Sequence, residues 1–104
     1  MKIYIAGPVT IGNRTLNIRA ALDAAEAVLK KGHVPFIPHL FEVWDLVYPH
    51  GYDTLMMMCL EWVDACDAVY RIPGESSGAD REVMRAEGRA MFIYYDINDI
   101  PEAG

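Results

Sequence analysis

Basic residues are scarce in this chain of 104 residues, which has nine lysines and arginines against fifteen aspartates and glutamates. The formal net charge of −6 argues against a nucleic-acid polymer or an anionic membrane as partner, because phosphate contacts need an excess of Lys and Arg. A small nucleotide is still compatible with this charge, since backbone N–H groups and one Arg can hold a single phosphate.

Long hydrophobic runs and cysteines are also few. No apolar run approaches membrane-spanning length, and no basic tract precedes an apolar segment at the start, so we expect no signal peptide, no membrane anchor and a cytoplasmic protein. Cys59 and Cys66 are seven residues apart, which in a helix separates them by about 10 Å, too far for a disulfide. We interpret both as reduced core residues.

Several chemical signatures are missing. The chain has no GxGxxG motif and no phosphate-binding P-loop. His33, His39 and His50 show no metal-ligand spacing, so we expect no metal site, and surface or loop positions for most of these histidines. Ser76 and Ser77 have no evident His partner, which argues against a serine hydrolase.

Apolar runs alternate with helical patterns along the chain. The predicted strands cover residues 2–6, 33–38, 67–72 and 91–95, and the predicted helices begin after N-caps at Thr15 and Asp53 and near a capping box of Ser77 and Asp80. Residues 40–47 can hold a short helix. This alternation, without repeats or a linker, predicts one α/β domain over residues 1–104, with a mainly parallel four-stranded sheet in the order 2-1-3-4 and helices on both faces.

A turn rich in Gly and Ser, residues 73–82, joins the third strand to the last helix. Such a turn exposes backbone N–H groups and a helix N-terminus, which suit an anion or a polar ligand. Glu82 borders the apolar stripe of that helix, so its carboxylate can lean over the carboxyl end of the sheet, where α/β folds bind ligands. The alternative is a solvated Glu82 paired with Arg85.

Topology brings this turn to the end of the first strand, where Gly7 and Pro8 follow Tyr4. A carboxylate at such a crevice can act as a nucleophile, a general base or a hydrogen-bond acceptor, and a phenol beside it can orient it. The neighbouring turn offers the Ser76 hydroxyl and backbone N–H groups to a 5′-phosphate or 5′-hydroxyl. The residues supplying these N–H groups are Ser77, Gly78 and Ala79.

The long connection over residues 38–53 carries four aromatic residues. They are Phe41, Trp44, Tyr48 and Tyr52. They can stack on a planar base, cover the core or form a subunit interface, and the sequence leaves these alternatives open.

Four segments in order resemble the nucleoside 2-deoxyribosyltransferase-like superfamily, over nearly the whole chain. They are MKIYIAGP at 1–8, GHVPFIPH at 32–39, CDAV at 66–69 and SSGADRE at 76–82. The nearest branch is a group of small bacterial and phage proteins related to 2′-deoxynucleoside 5′-phosphate N-hydrolases. The resemblance implies a flavodoxin- or Rossmann-like three-layer sandwich, a homodimer or larger assembly, and no metal or organic cofactor.

The resemblance also implies roles for single residues. Glu82 matches a nucleophile that forms a glycosyl-enzyme, and Tyr4 matches a tyrosine beside it. Ser76 and Gly78 match residues that line the sugar or 5′-phosphate pocket. The implied reaction is hydrolysis of an N-glycosidic bond or transfer of deoxyribose between bases, on a small nucleoside or nucleoside 5′-monophosphate.

One position departs from the pattern, because Cys59 stands where relatives have an Asp on the helix before the third strand. A thiol replaces a carboxylate poorly in contacts with sugar or base. Either Glu61 or a residue of the long connection supplies the contact, or activity is altered or lost. We therefore keep a non-catalytic nucleotide-binding or interaction module, and an assembly protein with an aromatic interface, as alternatives.

Overall fold

The computed structural model describes residues 1–104 and has a four-stranded sheet with four α-helices. The strands are β1 (Lys2–Ala6), β2 (Val34–Phe36), β3 (Ala68–Arg71) and β4 (Phe92–Tyr94). The helices are α1 (Arg14–Lys30), α2 (Phe41–Val47), α3 (Tyr52–Asp64) and α4 (Ser77–Gly88). The strand order is β2-β1-β3-β4 and every pair is parallel, which confirms the predicted α/β fold and topology.

The central strand β1 separates two layers of core. Successive side chains of a strand point to opposite faces, so Tyr4 and Ala6 pack with residues of α3 and α4, whereas Ile3 and Ile5 pack with α1. All four of these side chains are fully buried, as expected for a strand with helices on both faces. The three-layer sandwich is confirmed.

Two predicted helix caps were wrong. Helix α1 begins at Arg14, because the Asn13 side chain accepts a hydrogen bond from the Leu16 N–H at 3.0 Å and caps the helix ahead of Thr15. Helix α3 begins at Tyr52 after Gly51, so Asp53 lies inside the first turn. A carboxylate there still favours the helix, through the helix dipole.

The cap of α4 also differs from its prediction, by one residue. The Ser76 hydroxyl accepts from the Ala79 N–H at 3.1 Å, so Ser76 is the N-cap and Ser77 is the first helical residue. This shift leaves the first-turn N–H groups of Ser77 and Gly78 without an intrahelical partner.

The last nine residues pack against the sheet face that holds α1. Ile100 is 1% exposed and belongs to that core, and the Ala103 N–H donates to the Lys31 carbonyl at 2.8 Å. His33 is buried beneath this segment, where its Nε2 lies 2.6 Å from the Pro101 carbonyl. His39 is also buried, whereas His50 is exposed. His33 and His50 lie outside the helices and strands, so most of the histidines are at surface or loop positions as expected. No helix is both long enough and apolar enough to cross a membrane.

Candidate active site

Helix α4 directs Glu82 inward, against the phenol of β1. Glu82 is 5% exposed, and the Tyr4 hydroxyl donates to its Oε2 at 2.5 Å. The alternative of a solvated pair with Arg85 is wrong, because the Arg85 guanidinium binds the Asp64 carboxylate on α3 instead. Glu82 therefore lies in the layer between β1 and α4, where water is largely excluded.

Burial controls the ionisation of this pair. Desolvation raises the pKa of Glu82 to about 7, although the Tyr4 hydrogen bond and the charge of Arg71 oppose the rise. Burial, reinforced by the Glu82 charge, holds the pKa of Tyr4 well above its usual value. Near neutral pH Glu82 can therefore lose its proton while Tyr4 keeps its own, a state suited to a nucleophile or base with a fixed hydrogen-bond donor.

A cleft of about 310 Å³ opens above Glu82, a volume suited to a small organic ligand. The residues predicted from the sequence to bind substrate all line it. They are Gly7, Pro8, Ser76, Ser77, Gly78 and Ala79. Tyr4 does not line the cleft and reaches it only through its hydrogen bond to Glu82.

The turns after β1 and β3 meet at the cleft, as the predicted topology requires. A Cβ on Gly7 would lie 2.9 Å from the Cβ of Ile72, and a Cβ on Gly74 would lie 2.8 Å from the Pro8 ring. Gly74 also has a φ of +125°, a region in which side chains are strained. Both glycines are therefore needed for the close approach of the two turns.

Arg71, at the end of β3, fixes the shape of the β3–α4 turn. Its guanidinium donates to the carbonyls of Ile72 and Gly74 and to the Asp80 carboxylate. The distance to Asp80 is 3.0 Å, and the Arg71 side chain is only 11% exposed. These contacts hold the N-terminus of α4 beside the cleft, and they were not predicted from the sequence.

Comparison with known proteins gives the family. Residues 1–95 match the family model described as "Domain of unknown function (DUF4406)". The chain belongs to this family. No protein with curated annotation matches it.

A solved structure, "2-desoxiribosyltransferase from Leishmania mexicana", is similar to the DUF4406 chain with a TM-score of 0.65 and 22% sequence identity. The match covers 88% of this chain and 61% of the other, so this chain spans less than two thirds of that protein. At this identity the likeness shows the fold, and it confirms the deoxyribosyltransferase-like, Rossmann-like fold expected from the sequence.

Cys59 of α3 lies beside the Tyr4–Glu82 pair in this DUF4406 member. Its side chain interacts with both, and burial raises the pKa of the thiol to about 11. Cys59 is therefore a thiol at neutral pH, a weak hydrogen-bond donor rather than a thiolate nucleophile. Of the two suggested substitutes for the missing carboxylate, Glu61 is exposed and lies outside the cleft, whereas Glu42 and Asp45 of α2 line it.

The aromatic residues of the long connection divide into two groups. Phe41 and Tyr52 line the cleft, where they can contact a base. Trp44 and Tyr48 do not, and they are 46% and 65% exposed. Base stacking by Trp44 or Tyr48 is therefore not supported, and a subunit interface at this surface stays a prediction.

A Tyr4→Phe substitution tests whether the Tyr4 hydroxyl lowers the pKa of Glu82. The substitution removes one hydrogen bond to the carboxylate, so we expect the pKa of Glu82 to rise by about one pH unit. Carboxyl ¹³C NMR titration of protein labelled at glutamate measures this shift. Tyr70→Phe, on the opposite face of the sheet, is the matched control and should leave the pKa of Glu82 unchanged. An unchanged titration in Tyr4→Phe would contradict the assigned contact.

Proposed function

We propose that this protein hydrolyses the N-glycosidic bond of a small 2′-deoxynucleoside or its 5′-monophosphate, or transfers the deoxyribosyl group to another base, through a glycosyl-enzyme on Glu82. The observation that carries the proposal is a buried carboxylate of near-neutral pKa, hydrogen-bonded by a phenol, in the wall of a cleft of ligand size. The fold shared with a 2-desoxiribosyltransferase and the ordered sequence segments agree with it.

In the first chemical step, an oxygen of the Glu82 carboxylate attacks C1′ of the sugar and bonds to it. As that bond forms, the bond from C1′ to the base nitrogen breaks, and its electron pair leaves with the base, which takes a proton from water. The sugar passes through an oxocarbenium-like state that the neighbouring negative charge stabilises. Tyr4 donates to Oε2 and orients the carboxylate, which leaves Oε1 for the sugar.

The second step releases the carboxylate. In hydrolysis, the oxygen of water bonds to C1′, the ester bond to Glu82 breaks, and the water gives up a proton to solvent. In transfer, the nitrogen of a second base takes the place of water. The first-turn N–H groups of α4 and the Ser76 side chain line the same cleft and can hold the 5′ end of the sugar during both steps.

The test is incubation of the protein with the four common 2′-deoxynucleosides and their 5′-monophosphates, followed by chromatography for free base. We expect base release from at least one of them, and intact-mass spectrometry of quenched protein should show an adduct of one deoxyribosyl group. Binding of these compounds without base release or adduct would contradict the catalytic proposal.

The second candidate is a non-catalytic nucleoside- or nucleotide-binding module, favoured by Cys59 beside Glu82 where relatives carry a carboxylate. Such a module binds the ligand in the cleft but does not break its N-glycosidic bond. It predicts that the same compounds raise the melting temperature of wild-type protein and of Glu82→Gln equally, without base release from either. Base release by the wild type would exclude it.

A further inference from the structure

The charges that line the cleft are mostly negative. Three carboxyl groups, Glu42, Asp45 and Glu82, face a single cation, Arg14. The Arg14 Nη1 lies 3.6 Å from Glu42 Oε2, so its charge is already partly balanced. The Asp45 carboxylate is fixed by accepting a hydrogen bond from the His50 N–H at 2.7 Å. A dianionic phosphate entering this cleft meets a negative field from α2.

His39 is a buried member of the same lining. It is 1% exposed, its Nε2 donates to the Pro8 carbonyl at 3.1 Å, and its Nδ1 has no partner. Burial lowers the pKa of His39, so the ring is neutral at neutral pH. A neutral imidazole that donates through Nε2 carries a lone pair on Nδ1, which needs a hydrogen-bond donor. This nitrogen is enclosed by protein, so the His39 ring presents neither a charge nor an exposed acceptor to a ligand in the cleft.

Besides Arg14, the N-terminus of α4 is the feature of the cleft that favours an anion. Its dipole is equivalent to about half a positive charge. Asp80 lies in its first turn, and Arg71, which pairs with Asp80, does not line the cleft. The charge of Arg14 and this half charge together do not offset the carboxylates of Glu42 and Asp45 and the ionised fraction of Glu82.

We propose that Glu42 and Asp45 are specificity determinants, which make the cleft select an unphosphorylated 2′-deoxynucleoside over its 5′-monophosphate. The proposal rests on the proposed function only in that it takes 2′-deoxynucleosides and their 5′-monophosphates as the class of ligand. Binding tests it without turnover, so its failure and the failure of the catalytic proposal are distinguishable.

The experiment measures binding of the four 2′-deoxynucleosides and their 5′-monophosphates to Glu82→Gln protein by calorimetry. For the preferred base we expect the nucleoside to bind at least about tenfold more tightly than the monophosphate at low salt. Raising the salt from about 20 mM to 500 mM should lower the ratio of nucleoside affinity to monophosphate affinity, because screening weakens the repulsion between the phosphate and the carboxylates.

Adding Glu42→Gln and Asp45→Asn should raise monophosphate affinity about tenfold or more and change nucleoside affinity less than about threefold. The matched control adds Asp53→Asn and Glu61→Gln. These substitutions remove the same charge from a groove on the outer side of α3 and α4 and should leave the ratio unchanged. Tighter binding of monophosphates, a ratio unaffected by the α2 substitutions, or no nucleoside binding at all would each overturn the proposal.

Discussion

Glu82→Gln reduces base release by roughly a thousandfold or more, the size of loss typical of removing a nucleophile. The amide has the shape of the carboxylate, so Tyr4 can still donate to its oxygen and the fold is kept. It has no negative charge to stabilise an oxocarbenium-like state, and it does not form the glycosyl ester. Initial rates of base release over a range of enzyme concentrations measure the loss, and the deoxyribosyl adduct should vanish from the mass spectrum.

The control for this variant is Glu87→Gln, which removes a carboxylate from the exposed face of the same helix. It should retain the wild-type rate because Glu87 does not line the cleft. A Glu82→Gln protein with more than about a tenth of the wild-type rate would rule out Glu82 as nucleophile. The chemistry would then have to use another carboxyl of the cleft, Glu42 or Asp45.

The sheet was predictable from the sequence because its strands carry strong local signals. The strand before Gly7 is a continuous apolar run, as expected for a strand buried on both faces, and the apolar stripe of α4 repeats about every 3.6 residues. Parallel pairing then brings the two turns together. Tyr4 and Glu82 meet as a consequence of that topology. The caps were less predictable, since Asn13 and Thr15, or Ser76 and Ser77, compete within one turn and only the backbone geometry decides between them.

The α2 side of the cleft was not predictable in the same way. Helix α2 is seven residues long and none of its residues is buried, so periodicity does not indicate which side faces the ligand. Glu42, Asp45 and the buried His39 were therefore missed as cleft residues. One correction was available from helix geometry alone. Glu61 is two residues from Cys59, and residues at that spacing lie on different faces of a helix, so Glu61 does not replace a carboxylate at position 59.

The same Glu82→Gln variant should be more stable than the wild type above neutral pH. The folded-state pKa of Glu82 is about 7, against an ordinary value of 4.5, so the folded protein binds more protons between these two pH values. The stability that Glu82 contributes is complete below about pH 4.5 and is lost as the pH rises through 7. Integrated from pH 5 to pH 8, the loss is about 2–3 kcal/mol in the wild type and is absent from the variant.

Urea unfolding of both proteins at pH 5, 6, 7 and 8 measures this effect as a difference between two curves. Burial lowers the pKa of His39, which changes stability with the opposite sign, but His39 is present in both proteins and its contribution cancels. If the plots of unfolding free energy against pH stay parallel for the two proteins, Glu82 has an ordinary pKa and is not desolvated. A carboxylate that weakens the fold whenever it is ionised has no structural reason to stay where an amide fits, so a stability gain together with lost base release would indicate that Glu82 is kept for chemistry.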